Sequence, residues 1–68
     1  MNQLQKVAMV LDAVAQYETA TIEAHSGMIV CYVDGMREDT LSKKQTDILR
    51  GCGWEWDTTN EWWFYMIV

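Results

Sequence analysis

All four tryptophans of this 68-residue chain fall between position 54 and its end. Trp54 and Trp56 precede the polar stretch Thr58-Thr59-Asn60, and Trp62 and Trp63 follow it. Two runs of aromatic and β-branched residues around a short polar turn predict a β-hairpin. Side chains alternate across a strand, so Trp54 and Trp56 share one face. On the last strand Trp62, Phe64, Met66 and Val68 share one face, and Trp63, Tyr65 and Ile67 share the other. Both faces of that strand are therefore apolar, and a single covering layer hides only one of them.

The rest of the chain supplies that layer. From about Leu4 to Tyr17, residues Leu4, Val7, Ala8, Leu11, Val14 and Ala15 recur at helical spacing. Asn2 is the expected N-cap, with Gln5 three residues on. Met9, Val10 and Tyr17 widen the apolar stripe and predict packing on a sheet along most of the helix. Thr21 to His25 alternates weakly, Ser26-Gly27 has turn chemistry, and Met28 to Val33 is continuously apolar or β-branched, so a first hairpin is expected. Asp34-Gly35 ends it. After a polar connector from Met36 to Thr40, Ser42 and Gln45 match a capping box. Ile48, Leu49 and Cys52 form the buried stripe of a second helix. Gly51 and Gly53 both qualify for its left-handed C-terminal position. The final hairpin pairs Trp54–Asp57 with about Glu61–Val68, with Asn60 as the residue expected to tolerate a left-handed conformation. The expected fold is α+β in the order α-β-β-α-β-β. It is a four-stranded antiparallel sheet with two helices on one face, in a single domain spanning 1–68.

A chain this short hides only about 60% of the surface its unfolded form exposes, so small domains are often stapled. Two cysteines, Cys31 and Cys52, are too few for a secreted disulfide framework. Both lie in apolar surroundings and read as small buried hydrophobes in a reducing cytosol. Pairing with a second copy as a homodimer is the staple that remains. The N-terminal apolar run is broken by Asp12 and Gln16, unlike a signal-peptide core, and no apolar run approaches the ~20 residues needed to cross a membrane. The expected location is cytoplasmic. Ten acidic residues against five basic give a net charge of -5. That balance repels phosphate backbones; it serves solubility, or attracts a basic partner surface.

No constellation for catalysis stands out. His25, Cys31 and Cys52 lack metal-ligand spacing, and the cysteines read as core residues, so neither metal nor cofactor is expected. Ser26 adjoins His25, but neighbours on a strand point to opposite faces. Glu55 with Asp57, and Glu38 with Asp39, read as solvated acids rather than poised ones. Gly51-x-Gly53 follows a helix rather than a strand, so it fails as a phosphate loop. The tryptophan hairpin resembles a base-stacking platform, but Glu55, Asp57 and Glu61 beside it carry the wrong sign. Small domains also fill cores with tryptophan, and two of the four are expected to serve that purpose. The remaining ring area predicts a partner-binding surface drawn from Trp54, Trp56, Trp62, Trp63 and Tyr65, rimmed by Glu55, Asp57 and Glu61.

Gly53-Trp54-Glu55-Trp56-Asp57, followed by Trp63, resembles the Gly-x-x-Trp-Asp…Trp hairpin of the short domain appended to plasmid antirestriction and primase-type proteins. The resemblance covers about Asp47 to Tyr65 and implies a helix followed by a hairpin, with no catalytic residues to carry over. More broadly, the short acidic chain is similar to accessory proteins of bacteriophages and other mobile elements. The expectation is a non-catalytic interaction protein, such as a phage- or plasmid-borne inhibitor of a host protein. A nucleic-acid-associated regulator that stacks bases on the hairpin is the alternative.

Overall fold

Helix α1 spans Gln3–Ala15 in the computed structural model, which describes residues 3–67. The expected cap Asn2, and Val68, lie outside the described residues. The helix ends short of Tyr17. The amides of Gln16 and Tyr17 close back on Ala13 and Val14 at 3.3 and 3.0 Å, a tightened last turn. Val10 and Val14 are buried, Val7 and Leu11 partly so, while Ala8 and Ala15 are exposed. The buried stripe is thus turned from the expected one, because a branched side chain at position 10 hides more apolar area than a methyl at position 8. Met9 and Tyr17 face outward, so α1 does not lie on a sheet along its length. It packs chiefly against the second helix and meets the sheet mainly at one strand.

Strands β1 (Thr21–His25) and β2 (Met28–Tyr32) form the first hairpin. Ser26 and Gly27 both take positive φ, 50° and 80°. This two-residue loop matches the right-handed twist of the flanking strands.

Helix α2 (Lys43–Gly51) starts as expected. The Gln45 amide donates to the Ser42 hydroxyl at 3.2 Å, and the Ser42 amide donates to the Gln45 side chain at 2.9 Å. Its end chooses between the two glycines. Gly53 takes φ 94°, its amide donates to Arg50 at 3.1 Å, and the Trp54 amide donates to Leu49 at 2.9 Å. These paired bonds define a Schellman ending, in which the residue after the left-handed glycine packs back on the last turn. Trp54 and Leu49 are accordingly both core residues.

Strands β3 (Glu55–Asp57) and β4 (Trp62–Met66) are shorter than expected. Trp54 precedes β3, and Glu61 belongs to the turn. Asp57 organises that turn. Its carboxylate accepts from the Thr59 and Asn60 amides at 2.8 and 3.1 Å and from the Asn60 side-chain amide at 2.8 Å. Its carbonyl accepts from the Glu61 amide at 2.9 Å. The left-handed residue is therefore Glu61, at φ 59°, and not Asn60.

The sheet has the order β1-β2-β4-β3 with every neighbouring pair antiparallel, so the α-β-β-α-β-β architecture is as expected. Its register produces cross-strand rows of side chains that share a face. One row runs Ile22–Cys31–Trp63–Trp56, and the next runs Glu23–Val30–Phe64–Glu55. The first row feeds the core built from Val10, Val14, Leu41, Leu49 and Trp54. The second points to the side that no helix covers.

Candidate functional site: the open face of the sheet

The covered row takes most of the aromatic mass. Trp63 is fully buried, Trp54 nearly so, and Trp56 half-buried against Trp63 with ring centres 5.6 Å apart. The Arg50 guanidinium lies 5.0 Å from the Trp63 ring and is ion-paired to Glu38, which seals this side. Cys31, also in this row, is buried, and burial pushes its thiol up to about 11. That holds it as the neutral thiol at physiological pH, so it behaves as a hydrophobe rather than a nucleophile.

The open face is built from the alternate positions of the same strands. Phe64, Tyr32, Trp62 and Met28 are half-buried and Met66 is exposed. Val30 at the centre is 0% exposed although no helix lies over it. The Trp62 ring explains this. It meets Tyr32 at 5.7 Å and His25 at 5.6 Å. Tyr32 and His25 sit at opposite ends of the β1–β2 ladder, so the indole lies across the row that contains Val30. Its Nε1 is buried and finds no hydrogen-bond partner among the described residues, and the same holds for that of Trp63. Both rings are placed for packing rather than for a polar contact, since an unpaired buried N–H costs about 1–3 kcal/mol.

Acidic residues border this apolar stripe on both sides. Glu23 on β1 and Glu55 on β3 close the central row, and Asp57 closes the row of Trp62. Asn60 donating to Asp57 from side chain and backbone, with a further backbone bond from Thr59, holds that carboxyl below its ordinary range. The four strands carry no lysine or arginine. All five cations lie elsewhere: Lys6 on α1, Arg37 in the connector, and Lys43, Lys44 and Arg50 on α2. The helices and the connector carry both signs of charge, and three of their basic residues are ion-paired, whereas the charged side chains of lysine, arginine, aspartate and glutamate type on the strands are all acidic.

Of the residues expected at a partner surface, Trp62, Glu55 and Asp57 come together on the open face. Glu61 lies exposed in the adjoining turn. Trp54, Trp56 and Trp63 lie on the helical side, one more tryptophan than expected in that role. Tyr65 shares their side, is exposed, and stacks at 5.8 Å on Trp54. The sequence reading left out Val30, Tyr32, Glu23 and His25, which the first hairpin contributes. No local pattern in that hairpin marks them, because they join the last strand only through the β2–β4 pairing.

Among the described residues, no three or more histidine, cysteine or acidic side chains converge as metal ligands, and no helix is long and apolar enough to cross a membrane. No protein-family model, curated protein or solved structure matches the chain.

Proposed function

We propose that this chain is a non-catalytic interaction protein that docks a partner protein on the open face of its sheet and acts by covering the partner's surface. The observation that carries this reading is the stripe of Phe64, Trp62, Tyr32 and Met66, seated around the buried Val30 on a face that neither helix shelters. An uncovered apolar stripe with a charged border has the anatomy of an interface, an apolar centre within a polar rim. Trp62 and Tyr32 are the residue types that anchor such contacts. Occlusion fits a chain whose carboxylates serve local structure: Asp57 pins a turn, Asp39 pairs with Arg37, and Asp47 pairs with Lys43. Inhibition of a host protein by a small mobile-element product is one setting for such a mechanism. Carboxylates on both borders count against the alternative of base stacking.

The test compares wild type with a Phe64→Ala, Met66→Asp variant as bait, after circular dichroism has shown both to be folded. A partner held by wild type, lost from the variant, and rebinding the wild-type chain as a purified component supports the reading. A partner held equally by both removes it.

A further inference from the structure

The proposal rests on the docking role of the open face and concerns what that face accepts. From the sheet register and the charge distribution, we infer that its occupant is a basic amphipathic helix of the partner, laid along the apolar stripe.

Three observations converge. The central row reads acid, apolar, apolar, acid: Glu23, Val30, Phe64, Glu55. The two carboxylates stand on the outer strands of a four-stranded sheet, three strand spacings or about 14 Å apart. A helix with its side chains is about 10–12 Å across, so it fits between them. Lysines or arginines flanking its apolar stripe then reach both borders at once, their alkyl stems lying on Phe64 and Trp62.

The face also selects against a second copy of itself. Two such faces packed together bring carboxylates against carboxylates. The four strands offer no lysine or arginine to neutralise them. Like-charge borders oppose that pairing, whereas a cation-flanked helix satisfies both rims and buries the same apolar stripe. A helix with acidic flanks meets the same repulsion.

The experiment uses the full chain and two synthetic helical peptides of about 18 residues with identical leucine stripes, one flanked by lysines and one by glutamates. Binding is read by calorimetry and by tryptophan fluorescence. The lysine peptide is expected to bind, and to weaken about tenfold or more as salt rises from about 50 to about 500 mM. The glutamate peptide is expected not to bind. A Glu23→Lys, Glu55→Lys variant, folded by circular dichroism, is expected to lose the lysine peptide about a hundredfold and to gain the glutamate peptide. Equal binding of the two peptides, no binding of the lysine peptide, indifference to the charge reversal, or a dimer that buries this face overturns the inference. If the charge reversal leaves a natural partner bound while Phe64→Ala, Met66→Asp releases it, the helix inference fails and the docking role stands. If neither change releases it, the docking role fails as well.

Discussion

The two sides of this sheet hide their central residues by different means. On the helical side, Cys31 and Trp63 are buried under α1 and α2, with Arg50 and Glu38 closing the edge. On the open side, Val30 is equally buried, but under side chains of the sheet itself, chiefly the Trp62 indole. The first kind of cover is backed by hydrogen-bonded helices and a continuous core. The second is a layer of half-buried side chains, with no helix behind it. One side of the sheet therefore has a second layer over it, and the other has only its own side chains. Full burial of a central valine does not by itself reveal which side is which.

Removing a ring from each side tests the contrast directly. Trp63→Ala deletes the largest fully buried side chain and should cost about 3–5 kcal/mol. Total stability for a chain of this length is on the order of 3–10 kcal/mol, so the variant should be largely unfolded or sharply destabilised by urea and thermal circular dichroism. Trp62→Ala removes a half-buried ring from the open side and uncovers Val30. It should cost about 1–2 kcal/mol, keep the fold, and weaken partner binding more than it weakens stability. Equal losses from the two substitutions would mean that the open face is as structural as the covered one.

Much of this architecture is legible in the chain because its signals are local. The Ser42–Gln45 box, the Ser26-Gly27 turn and the aromatic run of the last strand each specify an element within a few residues. What resists reading depends on longer contacts. Val10 outranks Ala8 in buried area within α1 itself, but that the inner stripe of α1 meets chiefly α2 and not the sheet is set by a neighbour that nothing within α1 announces. The candidate surface shows the same divide. Trp62, Glu55 and Asp57 follow from the parity of one hairpin. Glu23, Val30 and Tyr32 join them only through the β2–β4 pairing, which connects segments separated by α2. The side on which Trp54 and Trp56 fall was open for a related reason. The Schellman ending at Gly53 aims Trp54 back at Leu49, and that outcome required choosing between two glycines.

The hairpin that bears both rows supplies a smaller, opposite effect. Glu61 holds φ 59°, a conformation that costs a residue with a Cβ about 1–2 kcal/mol relative to its usual geometry. Glycine adopts it freely but has more conformational freedom to lose on folding. Glu61→Gly should therefore stabilise the chain, by roughly 0.5–1 kcal/mol, seen as a raised urea midpoint with an unchanged slope. Because the turn lies outside both rows, Phe64-dependent binding should stay at the wild-type level. A loss of binding in this variant would move Glu61 from the turn into the contact surface.

The smallest expected effect is a pH dependence of the same turn. Asn60 and Thr59 donate to the Asp57 carboxylate and hold its pKa below the ordinary value, which is about 3.9 in an unfolded chain. A carboxyl with a depressed folded-state value contributes stability that is fully present above the unfolded value. That contribution disappears as pH falls through the folded one. Between neutral pH and about pH 5 the Asp57 contribution should therefore be flat, with its loss confined to the acid limb below about pH 4. Asp57→Asn keeps the shape of the side chain but removes the charge and the second acceptor oxygen. Its acid limb should be shallower than that of wild type in urea titrations repeated across pH, while the tryptophan fluorescence of the folded state stays unchanged. An equally steep acid limb in the variant would assign the loss to other carboxylates. Asp57 would then pin the turn by hydrogen bonding alone, and the acid border of the open face would contribute no pH sensitivity to the fold beneath it.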